Sequence, residues 1–173
     1  MHNLLFIAIM AFIVIGIQFG MRYHRAHRLN YWLKRGMEAY GAQQYEEALP
    51  AFKKCVRIAP EWVHTRALLG MSLAQTDHKE DALREIELVQ ALQPKQGETW
   101  ALVTLFYVLC MPEDEDALLN ALDTLYHIDA HVAARLIEKP QFRRLETLER
   151  YVDLRQRILA EDAENIQTEP ISE

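Results

Sequence analysis

The chain has 173 residues, half of them apolar, and a net charge of −6. That gives room for about one domain with a packed core, and the acidic balance argues against a nucleic-acid partner. The two cysteines, Cys55 and Cys110, stand too far apart for a CxxC pair and imply neither a disulfide framework nor a metal knuckle.

The first element is the run LLFIAIMAFIVIGIQFG from Leu4 to Gly20, with no charge in it. Its length is at the short limit for a bilayer-spanning helix, which needs roughly 17–25 residues. Leu4, Phe6, Ile9, Phe12, Ile15 and Ile17 are the membrane-facing candidates. No Lys or Arg precedes the run and no A-x-A-like site follows it, so it reads as a permanent anchor rather than a cleaved signal. Arg22, Arg25, Arg28, Lys34 and Arg35 all follow the span. The positive-inside rule then puts the amino terminus outside and the body in the cytoplasm, most naturally at a bacterial inner membrane, with an organelle membrane as the other candidate. Residues 22–30 form a basic flank that can also touch anionic lipid.

Beyond the flank, a period of 34 residues dominates. Gly36 recurs as Gly70, Ala48 as Ala82, Leu49 as Leu83, and Pro60 as Pro94. Such a period marks stacked helical pairs. Ala48, Phe52, Cys55 and Val56 share a face at helical spacing. Asp77-His78-Lys79-Glu80 fits a capping box opening the second helix of the second pair. Pro112 fits the first turn of a later helix, with Glu113, Asp114 and Glu115 at the positive end of its dipole.

Residues 31–130 resemble tetratricopeptide repeats. The first copy supplies Trp32, Gly36, Tyr45, Ala48, Phe52, Cys55 and Pro60. The second supplies Leu69, Gly70, Ala82, Ile86 and Pro94, with Arg66 in the tryptophan place. The third supplies Trp100, Val103 and Tyr107, slips by one residue to Ala117 and Leu118, and has Asp129 for its closing proline. The resemblance implies an all-α fold: a short solenoid of antiparallel helix pairs behind a transmembrane helix. Residues 131–160 supply capping helices, with Pro140 separating a short one from a longer one, and 161–173 an acidic, disordered tail.

The resemblance also implies a concave groove. Carried over by position, Asn30, Leu33, Met37 and Tyr40 line it in the first repeat, His64, Ala67, Met71 and Gln75 in the second, and Glu98, Ala101, Leu105 and Val108 in the third. Repeats that clamp acidic carboxyl tails use lysine and asparagine where Leu33 and Met37 stand, so no such clamp is implied. An apolar groove with methionines suits an amphipathic helix or apolar segment, or the chain's own last helix. Arg22–Arg57 is mainly basic and Glu113–Asp129 acidic, an asymmetry compatible with self-association.

No catalytic, cofactor or metal constellation stands out. His24 and His27 read as part of the basic flank, and both cysteines as packing residues. The expected role is a membrane-anchored adaptor joining proteins, not an enzyme. The alternatives are an accessory or assembly subunit of a larger membrane complex, a preprotein receptor, or an envelope assembly factor with its body outside the cytoplasm. The layout of anchor followed by cytoplasmic repeats is similar to the membrane-anchored lipopolysaccharide assembly protein family, whose longer array and rubredoxin-like zinc knuckle have no counterpart in these residues.

Overall fold

The computed structural model describes residues 2–168, with the side chains of Met10 and of residues 14–165. These residues form eight α-helices, one 3-10 helix and no strand, as the all-α expectation requires. They divide into two compact units, one ending at Glu61 and the other starting at Trp62.

The first unit holds α1 (His2–Gly41) and α2 (Tyr45–Ile58). Three segments were expected over α1: anchor, basic flank and first repeat helix. One helix of 40 residues covers that whole stretch, because nothing between Gly20 and Gly36 breaks helical geometry. Of the membrane positions, Leu4, Phe6, Ile9 and Phe12 lie outside the described side chains, while Ile15 and Ile17 are exposed. Among the described residues no helix is long and apolar enough to cross a membrane. The far end of α1 packs on α2. Gly36 lets the two helices close, with the Phe52 ring filling the space a side chain would need.

The second unit holds α3 (Val63–Ala74), α4 (Lys79–Ala91), α5 (Gly97–Cys110), α6 (Glu115–Ile128), α7 (Ala130–Ile137), a 3-10 helix (Pro140–Thr147) and α8 (Glu149–Thr168). Consecutive helices pair, and each pair rests on the next: α3 packs on α4 and α5, α5 on α6 and α7, and α8 on α6, α7 and the 3-10 helix. Helices α3 and α5 are buried on nearly every face. They accordingly read as apolar all round rather than amphipathic.

The 34-residue period reappears in turn chemistry. Gln43 (φ 60°) and Asp77 (φ 61°) both take the left-handed conformation just after α1 and α3. One residue further on, the amide of Gln44 donates to the Ala39 carbonyl at 2.9 Å and that of His78 to the Leu73 carbonyl at 3.0 Å. Both are the six-to-one bond of a Schellman ending, which satisfies carbonyls the helix leaves orphaned. This corrects the capping-box reading. Asp77 closes α3, so its side chain does not cap α4, whose N-cap is His78 with no side-chain bond.

The period also fixes the core. Ala48, Phe52 and Cys55 on α2 are fully buried, and so, 34 residues on, are Ala82, Ile86 and Val89 on α4. The equivalent trio on α6 is Leu118, Leu122 and Leu125. The third copy is therefore displaced by two residues, not by one, since Leu118 stands two places beyond the position that the period assigns to it, and Ala117 is only half-buried. The cause is α5, which has 14 residues where α3 has 12. The next turn takes the surplus back, since Asp129 alone separates α6 from α7. Pro112 lies in the turn before α6, not in its first turn, and Asp114 is the cap, accepting from the Ala117 amide at 3.0 Å.

The carboxyl-terminal segment makes a fourth pair. Pro140 opens the 3-10 helix between α7 and α8. Phe142 and Leu145 from it meet Tyr151, Leu154 and Ile158 of α8 in the core, with the Phe142 and Tyr151 rings stacked at 6.5 Å. The tail expected to be disordered from 161 is helical to Thr168, and 169–173 lie outside the described residues. Tyr126 donates to Glu161, and His131 pairs with Asp162 at 2.9 Å, tying that extension down.

Candidate functional site

The groove residues inferred from the repeats scatter in burial. In the first unit Met37 is exposed at 46%, Leu33 and Tyr40 are half-buried, and Tyr40 lies edge-on to Tyr45 and Phe52. Half of the residues named in the second unit are buried. Ala67, Met71, Ala101 and Val108 are buried at 0%, 2%, 7% and 4%. The Val108 carbonyl is taken by Arg144 at 3.2 Å, which closes that end of α5. Helix α3 packs on both α4 and α5, and Ala67 and Met71 lie buried within it. His64 is half-buried and its Nδ1 lies 3.1 Å from Thr99 Oγ1. Gln75 is exposed at the end of α3.

What remains open is a hollow of about 330 Å³ between α5 and α7. Ala101, Leu102, Leu105, Val132 and Leu136 give it apolar walls, and Glu98, Arg135 and Lys139 a charged rim. Arg135 reaches Glu98 at 3.5 Å. Sequence reading placed Ala101 and Leu105 here and missed Leu102 and the whole α7 contribution. The signal was present: Val132, Arg135, Leu136 and Lys139 are spaced i, i+3, i+4, i+7, one face of a helix. No residue of α8 lines the hollow. The last helix lies instead along α6 and α7, so it does not fill this surface.

Part of the charge in the second unit is matched internally. Asp116 and Asp123 of the acidic stretch face Arg150 and Arg157 of α8, the second pair at 3.4 Å. Exposed pairs of this kind contribute about 1 kcal/mol or less each, so they orient α8 more than they hold it.

The cysteine environments fit packing. Cys55 is fully buried with its Sγ directed at the Leu29 carbonyl, and burial pushes its thiol up from the ordinary range. Burial also raises the half-buried Cys110 thiol, against a small opposing pull from Lys79. Neither is the depressed thiolate that nucleophilic work requires. Among the described residues no His, Cys, Asp and Glu group has metal-site geometry.

Comparison with protein-family models, curated proteins and solved structures finds no match to this chain.

Proposed function

We propose that this chain is a membrane-anchored tetratricopeptide-type scaffold that works by holding a protein segment and not by catalysis. The observation that carries the reading is the 34-residue recurrence of both the buried trio and the left-handed turn residue: Ala48, Phe52, Cys55 with Gln43, then Ala82, Ile86, Val89 with Asp77. Repeats of this period expose the faces of their first helices, and the α5–α7 hollow is such a face. Its apolar walls and charged rim suit an amphipathic helix. The anchor rests on the charge-free run from Leu4 to Gly20, and the cytoplasmic orientation on the five cations that follow it.

A photo-crosslinking residue at Leu105 tests the reading in native membranes, with the same residue at the exposed Glu87 of α4 as its reference. A discrete protein adduct from position 105 and none from 87 is the expected result. Equal labelling at both positions would reject groove recognition. A reporter fused to the carboxyl terminus tests orientation, and an outside signal would overturn the cytoplasmic body.

A further inference from the structure

A cleft of about 530 Å³ lies between α1 and α2, and it is cationic. His24, Arg25, Arg28 and Trp32 reach it from α1, and Lys54 and Arg57 from α2. The α1 residues are spaced i, i+1, i+4 and i+8 from His24, which puts them along one face of a single helix. Lys54 and Arg57 stand three apart on the facing side of α2. The chain thus sets two basic rows against each other across one crevice.

Internal pairing leaves much of this charge unused. Arg25 donates to the Ile58 carbonyl at 2.7 Å and pairs with Glu61, which fixes one wall. Lys54 Nζ lies 3.5 Å from the centre of the Trp32 ring, a cation–π seat that holds the ammonium at the mouth. Arg28 and Arg57 have no carboxylate partner among the described residues. No acidic side chain lines the cleft.

The geometry points to a binding site for the phosphate headgroup of an anionic phospholipid. Position supplies the occupant. The cleft lies on the same unbroken helix as the apolar run, starting one residue past Gly20 at Met21. At 1.5 Å per residue, Arg25 stands about 7.5 Å and Arg28 about 12 Å beyond Gly20. A headgroup layer is about 5–8 Å deep on each side of the hydrocarbon. Arg25 therefore sits at its outer edge, and the long arm of Arg28 reaches back into it. Guanidinium groups offer the forked donors that phosphate oxygens accept. The site rests on the anchor reading in one respect: the span brings the cleft to headgroup height.

The test uses the full chain in detergent micelles offered equal phosphatidylglycerol and phosphatidylcholine, with retained lipid read by native mass spectrometry. Each cation near such a surface is worth about fivefold, so the wild type should retain phosphatidylglycerol by about tenfold or more. R28Q/R57Q should retain the two lipids almost equally, with helicity unchanged because both side chains are exposed. R143Q/R155Q, which removes two exposed cations of the second unit, should keep the preference. Equal retention by the wild type, or an unaltered preference in R28Q/R57Q, would overturn the site. Displacement of the lipid by millimolar inorganic phosphate would overturn the lipid assignment in favour of a free anion. Carbonate extraction of native membranes tests the anchor separately: a chain that is extracted yet selects phosphatidylglycerol loses the span and keeps the cleft.

Discussion

Gly36 lies against the Phe52 ring so closely that a β-carbon there would stand 2.7 Å from it. Thirty-four residues on, Gly70 meets Ile86 in the same role, but at 3.1 Å and against the flexible end of an aliphatic chain. The two copies therefore make different predictions for one substitution. Gly36→Ala forces a fully buried ring to move and should destabilise by about 1–2 kcal/mol, even after the helix gains about 1 kcal/mol from replacing glycine. Gly70→Ala should come out within about 0.5 kcal/mol of neutral, since Ile86 can yield and the propensity gain offsets the crowding. Thermal melting of the full chain in mild detergent reads the difference, at about 2–4 °C per kcal/mol. Equal losses would show that the closer approach at Gly36 carries no extra cost.

The left-handed turn residues offer a stabilising change. Gln43 and Asp77 hold φ near 60°, a conformation costing a side-chain-bearing residue about 1 kcal/mol that glycine escapes. Gln43→Gly should raise stability by about 0.5–1 kcal/mol, despite the extra freedom it gives the unfolded chain. Asp77→Gly should gain less, because aspartate tolerates this region better than glutamine. Asp77→Val should destabilise clearly, since branching at the β-carbon is poorly accommodated there. A gain from Asp77→Val would mean the turn is not built as described.

Much of the architecture was legible because it depends on spacing. The glycines, the trios at i, i+4, i+7 and the two closing prolines all follow one period and needed no knowledge of partners. Two things were not legible. The lengthening of α5 leaves no local mark, because residues 109–114 read as a turn in either register, so the third copy was placed one residue early. The groove was drawn from position alone, and position does not say how far neighbouring helices close up. Ala67 and Met71 are buried once the helices pack, and neither strip of sequence shows that by itself. Asp77 shows the same limit locally, since its side chain suits a cap while its backbone is needed to end the preceding helix.

Arg66 stands where the other two copies have Trp32 and Trp100, and the fold accommodates it with an ion pair. Its Nη1 lies 2.6 Å from Glu85 Oε2 on α4, both side chains about four-fifths shielded, while its Nε has no partner among the described residues. Removing the carboxylate alone strands a shielded guanidinium. Glu85→Ala should therefore cost about 1.5–3 kcal/mol. Arg66→Met combined with Glu85→Ala should cost markedly less than the sum of the two single changes, because an apolar chain leaves no buried charge to satisfy. A double-mutant cycle on the melting free energy checks this, with a coupling of about 1 kcal/mol or more expected. Simple additivity would show that the pair contributes nothing.

His64 gives the second unit a dependence on pH whose sign is set by its surroundings. Burial lowers its pKa below the ordinary value, and the nearby Glu98 carboxylate opposes that only in part. The folded chain thus prefers the neutral ring, which shares a hydrogen bond with Thr99. In the unfolded chain the ring takes up its proton near pH 6.5. Its contribution is complete above that value and is lost as pH falls toward the lowered folded value, because the unfolded state binds the proton first. His64→Gln keeps a partner for Thr99 but does not titrate. Between about pH 7.5 and about pH 5.5 the wild type should lose more melting temperature than this variant, the exposed histidines cancelling in the comparison. Losses of equal size in the two proteins would remove His64 as the cause.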